Sequence, residues 1–333
     1  MHKSESLSII VPVYNAEKTI IRCVKSLLMQ KTKDIQIILV NDASVDSTCS
    51  ILHQLEEIAP ERILIIDLDR NGGPATARNV GLEYATGRYI GFADSDDYVA
   101  TGAYDIVLAE AMSGDYDMVD FGYMDEDKDR ALLLAGRDLR GTLNDNQRSE
   151  LIAEGGYLWS RIYKRELIYD NDIRFRDGAY MLEDSEIMTE LIARTKTLGA
   201  VEETLYWYSM SEGSLSKTWN YRRYVDSVDG AINALKNLQY RIDNYAGLRD
   251  AIEYEMIHMY DLGIYSALAD YQRDRTMDTL TELNKLRDIR TACAGPNYEN
   301  PYVKQRMTRD QIERMKANDK DPEALMSYVK TER

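Results

Sequence analysis

Cysteine, histidine and phenylalanine are all scarce in this chain, with three of each. The cysteines, Cys23, Cys49 and Cys293, are odd in number and far apart, which excludes a disulfide framework. None has metal-ligand spacing, so they read as reduced thiols, with Cys23 and Cys49 half-buried on helices. The three histidines, His2, His53 and His258, exclude a multi-histidine metal site. Long apolar runs are missing too: no stretch reaches the length needed to span a bilayer, and Met1–Ser6 leads directly into a strand rather than forming a signal peptide. Basic residues are outnumbered, with Lys+Arg 41 against Asp+Glu 57, a net charge of -16. That balance argues against nucleic-acid backbones as partners and against non-specific adhesion to anionic lipid. The expectation is a cytoplasmic protein with no transmembrane segment, for which local peripheral contact at the inner face of the membrane stays open.

Tyrosine is abundant by contrast. The chain has 24, many beyond residue 200, where a ring can pack while its hydroxyl meets water. At 333 residues the chain can bury one large core or two moderate ones.

The first hundred residues alternate strand and helix signals. Leu7–Val13, Ile35–Val40 and Arg62–Leu68 are β-branched or apolar runs. Helical patterns fill Thr19–Gln30, the stretch from Ser44 to about Ala59, and the stretch from Gly73-Pro74 to about Thr86. A fourth strand, from Tyr89, ends in Asp94-Ser95-Asp96-Asp97. This alternation predicts an α/β fold with a mostly parallel sheet flanked by helices, in which ligands bind at the carboxyl ends of the strands. Further on, Tyr104–Met112 reads as helix, Tyr116–Tyr123 as strand and Asp125–Arg130 as a charged turn. Arg161–Arg165 reads as a basic amphipathic segment. A helix runs from Glu183-Asp184 to about Lys196, and Tyr206-Trp207-Tyr208 reads as a strand. Beyond Trp219 strand signals stop. Helices are expected over Tyr221–Tyr240, Tyr245–Tyr271 and Arg275–Arg290, then a break at Gly295-Pro296 and a polar helical tail from about Met307. The expected domains are 1–218 and an α-helical extension, 219–333.

Three carboxylates within four residues at the end of a buried strand repel one another and resist desolvation. A hard divalent cation, Mn²⁺ or Mg²⁺, resolves that conflict and also holds substrate phosphates; a solvated acidic turn is the other reading. The surrounding pieces bear on the choice. In order they are Ile10-Val11-Pro12-Val13-Tyr14-Asn15, Val40-Asn41-Asp42 through Thr48, Asn71-Gly72-Gly73-Pro74 through Asn79, Ala93 to Asp97, and Trp159 through Leu167. Ile173-Arg174-Phe175 and Glu183-Asp184 follow. Together these resemble the inverting family 2 glycosyltransferases of bacterial capsule and exopolysaccharide type, whose nucleotide-sugar-binding fold is called GT-A. The resemblance covers residues 7–217 and leaves the tail uncovered.

The resemblance implies a role for each matching residue. Asp94, with Ser95 beside it, lies near the ribose, and Asp96 coordinates the metal. Asp42 accepts from a pyrimidine N–H, which makes UDP the expected nucleotide. Pro12 and Tyr14 form the base-binding wall, with Tyr14 either stacking on the base or packing within its loop, and Val13, Asn15 and Asn71 belong to the nucleotide site. Arg78 either reaches the nucleotide or pairs with a nearby acid. Asp97 either assists or caps a helix, and Asp46 is read as a helix cap. Asp184 is the base that deprotonates the acceptor hydroxyl, with Glu183 beside it; a helix N-terminus favours acids at both positions anyway. Trp159 resembles an aromatic near the sugar or acceptor, or it simply packs. Ser209 stands where many relatives carry a basic residue, which leaves a third metal ligand in question, with Lys217 a possible substitute.

The function implied is transfer of a sugar from a nucleotide sugar to a saccharide or lipid-linked saccharide in cell-surface polysaccharide synthesis. A non-catalytic sugar-nucleotide-binding or scaffold protein acting through its helical tail is the alternative. A nucleotidyltransferase would need a glycine- and base-rich phosphate loop after the first strand, where Pro12–Asn15 stands instead. The tail could pack on the catalytic domain, shape the acceptor side or pair two chains in a homodimer.

Overall fold

A computed structural model describes residues 6–32, 34–132, 139–209, 221–274, 278–293 and 297–329. In chain order these form β1 (Leu7–Val13), α1 (Ile20–Leu28), β2 (Ile35–Asn41), α2 (Thr48–Ile58), β3 (Ile63–Asp67), α3 (Gly73–Tyr84), β4 (Tyr89–Phe92) and β5 (Tyr98–Val99). Next come α4 (Ala103–Ser113), β6 (Met118–Asp125), β7 (Arg130–Leu132), β8 (Gly141–Thr142), α5 (Asp145–Glu154), β9 (Arg161–Lys164), α6 (Arg165–Tyr169), α7 (Glu183–Arg194) and β10 (Thr197–Tyr208). Among the described residues the α-helices α8 (Tyr221–Asn237), α9 (Tyr245–Asp274), α10 (Asp278–Cys293), α11 (Pro301–Arg306), α12 (Arg309–Lys320) and α13 (Pro322–Val329) follow. The expected break at Gly295-Pro296 lies outside the described residues, as does Lys217.

The chain divides into two compact units. The first comprises Met1–Asn144, Gly155–Ala179 and Arg194–Thr218; the second comprises Asp145–Glu154, Tyr180–Ala193 and Trp219–Arg333. The second unit therefore takes α5 and most of α7 from inside the 1–218 stretch.

The first unit is built on one sheet of order β3-β2-β1-β4-β9-β6-β10-β5, with β7 on β6 and β8 on β10. β1 pairs in parallel with β2 and β4, and β2 with β3. The other half is mixed, because β9 enters antiparallel between β4 and β6. Leu7, Ile9, Val11, Ile37 and Leu39 are fully buried, each contributing about 1.5–3 kcal/mol of apolar burial. α1 covers the sheet with Ile20, Cys23, Val24 and Leu27, the i, i+3, i+4, i+7 stripe of an amphipathic helix.

Two local readings change. The segment at Arg161 is a buried strand: Arg161 forms an ion pair with Asp120 at 3.4 Å, and neither side chain is exposed at all. β10 starts nine residues before the aromatic triplet, at Thr197, and its pairing with β6 shifts register between Val201 and Tyr206.

In the second unit the 30-residue α9, about 45 Å long, is the central element. Leu248, Ile252, Met256, Tyr260, Ile264 and Ala267 are buried along it, against α5, α8, α10, α11 and α12. Buried Asp261 accepts from Gln311 at 2.9 Å and from Arg314 at 2.6 and 3.0 Å. Arg306 reaches Glu150 and Glu154 on α5, both at 2.8 Å.

Candidate active site

The carboxyl ends of β1, β2 and β4 lie side by side in the first unit, and the loops leaving them carry most of the residues expected at a site. Five hydrogen bonds join the loops after β1 and β2, one of them from Ser47 N–H to Glu17 Oε2 at 3.0 Å. Asn15 N–H donates to Ser44 Oγ at 3.0 Å, and Asn15 Oδ1 accepts from Val45 N–H at 2.9 Å. Ala16 N–H donates to Thr48 Oγ1 at 2.8 Å and Glu17 N–H to Asp46 Oδ2 at 3.3 Å. Asn15 sits in the left-handed region at φ 49. Pro12 and Val13 belong to β1 itself, while Tyr14 stands out from the loop at 48% exposure. Asp46 also accepts from Thr48 N–H at 3.0 Å, at the first residue of α2, while the N-cap position itself is taken by Ser47. Burial opposes ionisation of Asp46, but hydrogen bonds from Thr48 and Glu17 outweigh it and hold the carboxyl below its ordinary range.

Asp42 is buried and spans to the start of α3. Its two oxygens accept from Gly72 and Gly73 N–H at 2.7 and 2.8 Å, and its carbonyl accepts from Asn71 Nδ2 at 3.3 Å. A carboxylate there satisfies N–H groups that lack partners within the helix and complements the helix dipole. Gly73 has φ 83, a conformation that disfavours any side chain. Each Asp42 carboxylate oxygen has a second lone pair able to accept from a further donor.

The acidic stretch forms a turn closed by Asp97 N–H donating to the Asp94 carbonyl at 3.1 Å. Arg78 is buried and pairs with Asp94 at 3.0 Å, so of its two readings the ion pair is present. Arg22 holds the Asp96 carbonyl at 2.6 Å from α1. Asp97 is fully buried and caps no helix, since α4 begins only at Ala103. It accepts instead from the Tyr206 hydroxyl at 2.6 Å and from Ser209 N–H at 2.8 Å. The same Tyr206 hydroxyl accepts from Asp94 N–H at 3.0 Å, so one phenol fixes both ends of the turn. Burial and the neighbouring charges of Asp94 and Asp96 push the Asp97 carboxyl up to about 9, against the opposing effect of its two hydrogen bonds. The same causes, burial first, push the buried Cys23 thiol well up, so it is inert rather than nucleophilic.

Trp159 is buried at the centre of an aromatic stack. Its ring lies 4.3 Å from Tyr206, 4.6 Å from Tyr157 and 5.6 Å from Tyr208, all within 11° of parallel. Trp159 therefore buttresses Tyr206, and Tyr157, 41% exposed, presents the open ring of the group. Tyr206 and Tyr157 went unrecognised from sequence; only the aromatic character of their segments hinted at them. Ser209 contributes its backbone N–H to Asp97 and its hydroxyl to Glu126.

Glu183 and Asp184 open α7 in the second unit, immediately after Leu182 in the left-handed region at φ 66. Glu183 is buried.

The donor set of the turn fits a hard divalent ion. Asp94 and Asp96 offer carboxylate oxygens on this turn, and the neighbouring Cys23 Sγ, which donates to the Asp94 carbonyl at 3.5 Å, is held as a thiol by burial and does not supply a soft thiolate. One cysteine needs a different account. Cys49 and His53, one helical turn apart on α2, meet Asp67 at the end of β3, so Cys49 does stand in a cluster with metal-ligand character. C-x₃-H spacing on a helix was the available signal, but its third member comes from another element.

Residues 8–169 match the family described as glycosyl transferase family 2. The chain is 30% identical over 263 residues to "Uncharacterized glycosyltransferase EpsJ" of Bacillus subtilis (strain 168), spanning 75% of this chain and 73% of that protein. Its fold is similar to a crystal structure of S. aureus TarS 1-349 in complex with UDP-GlcNAc, with a TM-score of 0.75 and 19% identity. That similarity covers 98% of this chain and 91% of TarS 1-349. A mannosyltransferase, PcManGT of Pyrobaculum calidifontis, in complex with GDP-Man and Mn²⁺, superposes with a TM-score of 0.57 at 13% identity, over 94% of this chain and 86% of its own. The GT-A architecture expected from the motifs is thus the architecture present. On its family match and its likeness to EpsJ, this chain belongs to glycosyl transferase family 2 and is a glycosyltransferase.

Proposed function

We propose that this protein transfers a sugar with inversion from a UDP-sugar to a hydroxyl of a saccharide or lipid-linked saccharide, in the synthesis of a cell-surface polysaccharide. The observation that carries the reading is the Asp94–Asp97 turn, held by Arg78 and Tyr206 at the carboxyl end of β4. In this reading Tyr14, raised on the loop after β1, stacks on the base between Pro12, Val13 and Asn15. Asp42 meets the pyrimidine N–H with a lone pair left over from its two backbone bonds, with Asn71 beside it. Asp94 and Ser95 face the ribose. Asp96 holds Mn²⁺ or Mg²⁺, with Asp94 nearby; the ion, when bound, offsets the charge that develops on the departing diphosphate.

Proton transfer is assigned to Asp184. The acceptor oxygen forms a bond to the anomeric carbon from the face opposite UDP as the bond to the diphosphate oxygen breaks, and the acceptor proton passes to the Asp184 carboxylate. Glu183 and the exposed Tyr157 ring are assigned to sugar or acceptor contacts, with Trp159 supporting that ring from behind. A panel of nucleotide sugars, each with Mn²⁺, tests the donor assignment by protection against thermal unfolding. UDP-sugars should raise the melting temperature and purine-nucleotide sugars should not; protection by GDP-sugars alone would refute the pyrimidine assignment of Asp42.

A further inference from the structure

A second metal-ligating cluster lies on α2 and β3. Cys49 and His53 occupy i and i+4 of α2, so both side chains leave the same face of the helix. Asp67, the last residue of β3, faces them. Cys49 Sγ is 3.6 Å from Asp67 Oδ1, and His53 Nε2 is 2.9 Å from Asp67 Oδ2. One ligand atom from each residue can be chosen so that all lie within 4.8 Å of one another. Tetrahedral zinc, with Zn–S near 2.3 Å and Zn–N or Zn–O near 2.0 Å, holds its ligand atoms about 3.3–3.7 Å apart. The 3.6 Å separation lies within that range, and the 2.9 Å one, made to the other carboxylate oxygen, is a hydrogen-bond distance that lengthens when an ion enters.

We propose that Cys49, His53 and Asp67 form a three-ligand site for Zn²⁺, separate from the oxygen-donor turn at Asp94–Asp97. The donor chemistry discriminates between the two. A thiolate and an imidazole favour zinc over Mg²⁺ or Mn²⁺, whereas the carboxylates of the turn favour the harder ions. Charge balances as well, since a thiolate and a carboxylate together neutralise the dication. Binding breaks the Cys49 S–H bond and releases that proton to the buffer.

The surroundings support the ligands. Glu56 Oε2 lies 3.8 Å from the other ring nitrogen of His53, too far for a hydrogen bond in this structure but close enough to favour that N–H electrostatically and to reach it by a small side-chain shift. Asn41 Nδ2 donates to Asp67 Oδ1 at 2.7 Å and steadies the carboxylate. The His53 and Asp67 side chains are 48% and 40% exposed, so ions enter from solvent and water fills the fourth position. Asn41 directly precedes Asp42, which places the cluster at the border of the proposed nucleotide pocket.

Cobalt(II) is the probe, titrated into the full chain under reducing conditions with excess Mg²⁺ present throughout. The expected result is one equivalent bound, with tetrahedral d–d bands and a thiolate-to-cobalt charge-transfer band, all bleached by Zn²⁺. Cys49→Ser should remove the charge-transfer band, and His53→Ala should weaken binding by at least about 10-fold, the lower limit for disturbing even an outer-shell partner. Both variants should melt as cooperatively as the parent, because Cys49 and His53 lie at the surface of α2. No charge-transfer band, or a band that persists in Cys49→Ser, would overturn the proposal and leave a hydrogen-bonded polar cluster only. Because the readout is metal binding and not turnover, it is independent of the glycosyltransfer reading.

Discussion

The hydroxyl of Tyr206 donates to Asp97 and accepts from the backbone of Asp94, so Tyr206→Phe removes one group and leaves two polar groups without their partner. The ring would keep its stacking on Trp159. The expected cost is about 1–3 kcal/mol of stability, together with weaker Mn²⁺-dependent UDP binding. Thermal melting and calorimetric titration check the two effects separately. A variant that melts lower yet binds UDP and Mn²⁺ as tightly as the parent would limit Tyr206 to a packing role. Arg78 shows the same logic from the other side: its pairing with Asp94 keeps the carboxylate oriented, whether or not its guanidinium also meets a ligand.

At the level of elements, Asp42 ties the end of β2 to the first turn of α3. Asp42→Ala should cost about 1–2 kcal/mol through the loss of two hydrogen bonds at that helix N-terminus, and Asp42→Asn should recover part of it. Denaturant unfolding of the two variants measures this directly. Much of this half of the molecule was legible in the sequence. β1, β2 and β4 are buried on both faces and therefore read as unbroken apolar runs, and the acidic turn stands out because three carboxylates within four residues follow such a run. What was not legible depends on distant pairing. Arg161-Ile162-Tyr163-Lys164-Arg165 looks like a solvent-facing basic stretch until Asp120 of β6 is placed beside Arg161. Tyr206 meets the turn across more than a hundred residues, and Cys49 and His53 gain a third partner only when β3 lies beside α2. Local periodicity carries none of this information.

At the scale of the whole molecule, sequence order and spatial grouping differ. The helical tail is continuous in sequence, but its unit also contains 145–154 and 180–193, so Asp184 belongs by packing to the helical part. That unit should carry its own pH dependence. Glu255 on α9 is buried, and burial, partly offset by Arg306, pushes its carboxyl up from 4.5 to about 8. Between those values the folded protein keeps a proton that the unfolded chain releases, so the contribution of Glu255 to stability is full below about 4.5, declines as pH rises through 8 and then levels off. Glu255→Gln should remove this decline, with a gain over the parent on the order of 5 kcal/mol at high pH and little at low pH. Unfolding curves taken across that range give the answer.

The central proposal assigns donor and metal binding to the Asp94–Asp97 turn and proton transfer to Asp184, and UDP release from a UDP-sugar in the presence of Mn²⁺ and acceptor tests it most directly. Turnover should require the ion and fall by at least about 100-fold in Asp96→Ala and in Asp184→Asn. Only the first of these should also weaken metal-dependent UDP binding. Turnover in both variants equal to the parent's would contradict the account.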